Sequence, residues 1–329
     1  MRLAARTLWV PASAALLLFG LARPASAVTV DWVTVEGPAN ACDPREHCFG
    51  TVGVTYQISA FEVTNADYAE FLNAKAADDP LELYDTAMAS GPYGYGPSTI
   101  TRSGTAGSYV YTVSAGQELK PVADVTFYDC VRFANWLHNG QGSGDTETGA
   151  YTLLGGTPTP SNGSTVRRNA WATVFLPTRD EWYKAAYYDP LTASYFDYPA
   201  GTDTPTVCAS PGPTPNTANC EHTWDFGLTE VGSYTGSASP YGTFDQGGNV
   251  EEWHEDLNTF TRQARAHGRA NMTLYAFFLS APYQVYWEVP EASGFLRGFR
   301  VAGRVPEPGS RLLAITSVLV LAGLHRRRG

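Results

Sequence analysis

Lysine is almost missing from this chain. Only three of its 329 residues are lysine, and Lys, Arg, Asp and Glu together make up 16%. So little charge, beside 13% aromatic residues, excludes an intrinsically disordered chain, which is rich in charge and poor in aromatics. Cysteine is sparse too: five residues are too few for a small disulfide-stapled scaffold. Basic residues number 22 against 32 acidic ones, a net charge of −10. The basic face with which a nucleic-acid binder neutralises phosphates is therefore not expected. No apolar run reaches the about 20 residues of a comfortable membrane-spanning helix. P-loop, nucleophile-elbow and Rossmann glycine patterns are absent. What remains is enough chain for one large globular domain or two ordinary ones.

The bases that are present crowd the two ends. Three arginines precede residue 28, and five arginines with one glutamate follow residue 303. With these set aside, residues 28–303 hold 14 bases against 31 acids, a net −17. Residues 1–27 read as a secretory signal peptide: Arg2 and Arg6, an apolar stretch from Val10 to Leu21, and the cleavage pattern Ala25-Ser26-Ala27. A membrane anchor is the alternative reading. Residues 304–329 combine Pro306-Glu307-Pro308, an apolar run from Leu312 to Leu324, and the basic stop His325-Arg326-Arg327-Arg328. This tail resembles the PEP-CTERM sorting signal of Gram-negative bacteria. The resemblance implies export through the inner membrane, transient membrane attachment, cleavage by an exosortase, and a cell-surface or extracellular location. A simple tail anchor is the alternative.

Export permits disulfides. Cys42 and Cys48 lie six residues apart, Cys208 and Cys220 twelve apart, each pair in a Pro/Asn-rich stretch that reads as a stapled loop. Cys130 shares an apolar helical face with Phe127, Val131, Ala134 and Leu137, which predicts a buried thiol.

Between the ends, one unit recurs. Val52, Val54, Tyr56 and Ile58 alternate with polar residues and glycine, predicting a half-buried strand. Three short helices are predicted to follow capping threonines: Thr64 with Asp67, Thr126 with Asp129, and Thr178 with Glu181. Residues 86–118 and 139–170 read as loops or irregular hairpins, and 199–223 as a Pro/Thr/Asn loop. Few helices and much ordered loop predict a compact α+β domain over residues 28–303.

Five segments, in order, resemble the formylglycine-generating enzyme family, the sulfatase-modifying factor domain. They are Ile58–Asn65 with Tyr68 and Phe71, Pro121–Leu137, Leu176–Ala186, Gly247–Trp253 and Gly298–Ala302. The resemblance implies a C-type-lectin-like α+β fold of low regular content, with bound structural calcium. The Phe244–Trp253 stretch offers the hard oxygens calcium prefers. By resemblance, Asp245 and Glu252 would supply side-chain oxygens, and Gly248 and Val250 carbonyls. A second site would fall near Asn219 and Asp225. Active members also use two nearby cysteines late in the domain to bind copper, for which thiolate is the fitting ligand. Residues 254–297 contain no cysteine, and the segment Arg265–Asn271 departs from the family's signature. Copper is therefore not expected. Iron-dependent sulfoxide synthases share the fold but take their metal from a separate helical domain, for which the chain has no room. His254-Glu255-Asp256 reads as a solvated turn rather than a metal cluster, since it lacks the paired histidines of a zincin. Two readings follow. One is an exported, non-catalytic lectin-like module for an exopolysaccharide or surface protein. The other is an oxidoreductase converting a protein cysteine to formylglycine.

Overall fold

The computed structural model describes residues 27–37, 39–45, 48–90, 98–220, 227–257, 264–267, 279–283, 286–294 and 296–306. The signal-peptide region before Ala27, the tail from Glu307 and the candidate ligand Asp225 lie outside them. Among the described residues no helix is long and apolar enough to cross a membrane.

In chain order the elements are β1 (Trp32–Val35), β2 (Tyr56–Ser59), α1 (Asn65–Lys75), α2 (Ala87–Ser90), β3 (Ile100–Ser103), β4 (Val110–Val113), α3 (Phe127–His138), β5 (Val174–Phe175), α4 (Arg179–Tyr187), β6 (Tyr188–Asp189), β7 (Ser194–Tyr195), β8 (Val207–Cys208), β9 (Thr217–Ala218), β10 (Glu251–Leu257), β11 (Ala264–His267), β12 (Tyr286–Trp287), β13 (Arg297–Gly298) and β14 (Ala302–Arg304). The fold is α+β with little regular structure, as the sequence predicts. Each longer helix starts at its predicted threonine. Thr64, Thr126 and Thr178 each accept a hydrogen bond from the third helical backbone amide, and the acid at that position accepts one from the threonine backbone amide. Each reciprocal cap satisfies two otherwise orphaned amides and contributes about 1 kcal/mol.

The first and last strands of the body meet in one sheet, ordered β1-β2-β14-β5 and antiparallel throughout. Its register aligns Val33, Ile58, Ala302 and Phe175 in one row, with the last three buried. Against it pack α1 and α3, through Tyr68, Phe71, Phe133 and Trp136, with the Phe71 and Phe133 rings 5.4 Å apart. Cys130 is 0% exposed in this core. The predicted strand over residues 52–58 is shorter than its alternation suggests. Pairing starts at Tyr56; Val52 is instead held by the side chain of Asn40, and Val54 is 62% exposed.

A second sheet runs β12-β11-β10-β13, and its central strand β10 carries the end of the Gly247–Trp253 motif into the interior. Loops are fixed by side chains instead of ladders. Arg132, fully buried on α3, grips both oxygens of Glu147 and donates to the carbonyls of Thr157 and Pro158. Disulfides join Cys42 to Cys48 and Cys208 to Cys220. The second spans the small parallel pair β8–β9, which the sequence reading takes as loop.

Burial lifts the Asp129 carboxyl from the ordinary 3.8 to about 7, against the opposing pull of its Thr126 hydrogen bonds. A folded-state value above the unfolded one means that proton uptake favours folding. That contribution is complete below the unfolded value and is lost as pH rises through about 7. Denaturation midpoints should therefore fall between pH 4 and 8. Asp129→Asn, which keeps an acceptor for Thr126, should flatten the fall by one proton's worth. Identical slopes in the two proteins would refute the assignment.

Candidate functional site

The motif around Gly248 is a turn of unusual backbone. Asp245 (φ 60°), Gly248 (φ 133°) and Asn249 (φ 60°) all lie in the left-handed half of the map. At Gly248 a Cβ would sit 2.7 Å from the carbonyl oxygen of Asn219, so only glycine fits. Asn249 then ties the turn to its surroundings. Its backbone amide donates to Asn219 O (3.1 Å), and its Oδ1 accepts from Asn219 Nδ2 (3.0 Å) and the Thr229 amide (3.1 Å). Its Nδ2 donates to Glu62 Oε1 (3.3 Å). Asp245 Oδ2 accepts from the Gly232 amide at 2.6 Å.

Glu252, at the start of β10, faces Arg300 in a two-pronged ion pair. Nε reaches Oε2 and an Nη reaches Oε1, both at 2.7 Å. Trp182 Nε1 donates to the same Oε2 at 2.8 Å. Arg300 spends its other donors on the carbonyls of Ser59, Ala60 and Phe244. Both members of the pair are buried.

One guanidinium here serves three carboxyls: Glu62, Asp245 and Glu252. Burial, reinforced by the neighbouring Asp245, pushes the Glu62 carboxyl well above its usual range. Burial lifts Asp245 to about 6. Around this turn, the buried oxygens Glu62 Oε2 and Asn219 Oδ1 have no hydrogen-bond partner among the described residues. A buried acceptor without a donor is costly, and an orphaned oxygen beside other oxygens suits a hard cation such as calcium. Among the described residues no three Asp, Glu, His or Cys side chains converge as a metal cluster. A cation here would therefore need amide and backbone oxygens to complete the one or two carboxylates the turn offers.

The structure places Asp245, Gly248, Val250 and Glu252 on one turn and strand, with Asn219 against Gly248. Val250 is buried among Ala123, Leu228 and Leu296. Glu252 is already committed to Arg300 and Trp182. Glu62, Asn249 and Arg300 join the site without any local sign of it: all three stand inside the family-like segments, but their mutual contacts span more than half of the chain.

His254-Glu255-Asp256 is not a solvated turn. It lies in β10, where alternation and burial send the three side chains to separate partners. His254 is buried with its ring 5.2 Å from that of Trp182. Glu255 pairs with Arg168, and Asp256 accepts from the Arg179 amide. His267 is on β11, but its side chain lies outside the description. Four cysteines are in disulfides. The fifth, Cys130, has its thiol pushed well above its usual range by burial and then by Asp129.

Residues 43–305 match the family of the sulfatase-modifying factor enzyme 1-like domain (FGE-sulfatase). Among curated proteins, hercynine oxygenase of Mycobacterium tuberculosis is 38% identical over 90 residues, 26% of this chain and 18% of that protein. The match thus spans under a fifth of that relative. Among solved structures, the crystal structure of CarF superposes with a TM-score of 0.54 at 20% identity, covering 85% of this chain and all of CarF. Treponema denticola variable protein 1 gives 0.54 at 18% identity, covering 86% of this chain and 98% of the other. At these identities the likeness is one of fold.

Arg300→Met should cost about 3–5 kcal/mol of stability in chelator, because it strands the buried Glu252 carboxylate. Adding Glu252→Leu should recover much of that loss, since an apolar pair avoids desolvating two charges. Additive losses in denaturant melts would show that the two groups do not act as a pair.

Proposed function

The chain belongs to the sulfatase-modifying factor enzyme 1-like domain family, and from that membership we propose that it is a non-catalytic, exported binding module stabilised by calcium. The observation that carries this reading is the disposition of its thiols. The family chemistry anticipated from the sequence needs two neighbouring cysteines late in the domain, for copper. This chain has none between Trp253 and Gly298. Its five cysteines are spent elsewhere, four as loop staples and one sealed in the core, where burial disfavours the thiolate.

Calcium would be held by Asp245 and the Gly248 and Val250 carbonyls, with Glu62 Oε2 as a further buried oxygen donor; Glu252, proposed from the sequence as a ligand, would lie beside it with its carboxylate shared with Arg300 and Trp182. Asn219 Oδ1 would contribute to the neighbouring site, with Asp225 as its proposed partner. Calcium would supply charge balance to a pocket with more carboxyls than cations, and so pin loops that have few strand ladders. The ends of the chain complete the reading. A signal peptide would direct export, and the Pro306-Glu307-Pro308 tail would be processed by an exosortase, leaving the body at the surface of a Gram-negative cell. Its ligand there would be an exopolysaccharide or another surface protein.

Millimolar calcium should raise the melting temperature of the purified protein, and chelator should reverse the rise. Glu62→Gln and Asn219→Ala should each shrink it. No shift with calcium would remove the metal from the proposal. Copper-dependent oxygen uptake with a cysteine-containing sulfatase peptide would replace the binding role with formylglycine formation.

A further inference from the structure

The loop before β5 carries an anomaly. Trp171 is 65% exposed, although the backbone on both sides of it is held firmly. Ala172 is buried and donates to Asn169 O at 3.1 Å, and the Asn169 amide donates to Ala150 O at 2.8 Å. The Thr173 amide donates to His138 Nδ1 at 3.2 Å, and the Thr173 carbonyl accepts from the Arg304 amide at 3.0 Å. The Arg304 guanidinium closes the other side by donating to the Ala170 carbonyl. The indole is thus presented outward on a loop that has little freedom left to lose on binding, the condition under which an exposed aromatic gains most from a ligand.

The local charge is the second, independent observation. The body carries a net −17 over residues 28–303, and its described arginine side chains almost all pair with carboxylates. Two do not. Arg304 and Arg167 are exposed and have no carboxylate partner among the described residues. Arg304 touches the residue before Trp171, and Arg167 is four positions upstream in the same segment. Its neighbour Arg168 turns inward to Glu181 and Glu255 and stacks over Phe175, leaving Arg167 on the outside. Arg304 is thus seated beside the exposed indole through its bond to Ala170, and Arg167 is an exposed position four residues before it in the same segment.

We infer that Trp171, Arg304 and Arg167 form a binding face for an acidic polysaccharide, a chain of pyranose rings bearing carboxylates. A flat indole matches the C–H face of a pyranose. A guanidinium matches a carboxylate through two parallel hydrogen bonds. A nucleic acid would need a wider basic footprint than two arginines on an acidic body. The inference rests on the binding-module reading and gives it a ligand class and an address. The calcium turn contributes no residue to this face.

The test is titration calorimetry of the full-length protein with an oligogalacturonate, and with neutral dextran as control. Saturable binding of the oligogalacturonate and none of dextran is expected. Trp171→Ala should weaken binding by about tenfold, the scale of losing one aromatic stack. Arg304→Gln and Arg167→Gln should weaken it and reduce its sensitivity to salt, because an exposed charge contact is screened. Trp171 and Arg167 are exposed, so the melting temperatures of those two variants should stay near that of the unaltered protein and their comparison does not depend on refolding; Arg304→Gln, which also gives up the Ala170 bond, is read through its salt dependence. Absence of saturable binding, equal binding of dextran, or unchanged affinity in Trp171→Ala would each overturn this face. Another glycan bound with full affinity by Trp171→Ala would overturn it while leaving the binding-module reading intact. Copper-dependent oxygen uptake would overturn that reading whether or not the oligogalacturonate binds.

Discussion

The pair formed by Arg300 and Glu252 is the constraint around which the rest of this structure is arranged. Arg300 reaches the carbonyls of Ser59 and Ala60 near the start of the body, Phe244 before the glycine turn, and Glu252 on β10. Trp182 brings α4 to the same carboxylate. Five of the guanidinium's possible contacts are thus used to bind segments that share no continuous sheet. In a fold with short strands, one satisfied buried cation does the work that a hydrogen-bonded ladder does elsewhere. Such a group is favourable only while every partner stays in place, because an unpaired buried charge costs several kcal/mol. The same environment explains why Glu62 and Asp245 titrate high. Arg300 is the cation that acts on both carboxyls, and most of its donors are already engaged.

Local signals were legible in the sequence, and long-range ones were not. Thr64, Thr126 and Thr178 announce three helices because a reciprocal cap is written within four residues. The disulfide pairs and the buried Cys130 follow from spacing and helical periodicity. The strand predicted at residues 52–58 fails at its first half. Alternation alone does not reveal that Asn40, twelve residues upstream, takes the Val52 amide from any neighbouring strand. His254-Glu255-Asp256 fails for a related reason: three polar residues in a row look solvated until their partners Trp182, Arg168 and Arg179 are known. Glu62 is the clearest case. It stands in a quoted motif, yet nothing nearby in sequence shows that it would meet Asn249 across 187 positions and keep one oxygen unpartnered.

The buried acidic groups and the exposed arginines occupy different parts of this molecule. Acidic groups crowd the interior around the glycine turn, while Arg304 ends the inner strand β14 and Arg167 precedes β5, both exposed.

The position of β14 has a mechanical meaning. It enters the sheet between β2 and β5, not at an edge, and it starts two residues after Arg300. Tension applied to the chain beyond residue 304 would load a strand gripped on both sides. Behind that strand the load would pass directly into the buried guanidinium. Yielding would require several hydrogen bonds and an ion pair to give way nearly together, whereas an edge strand can peel one bond at a time. A body suspended by its C-terminal end would thus meet a pulling force at its most heavily fastened point.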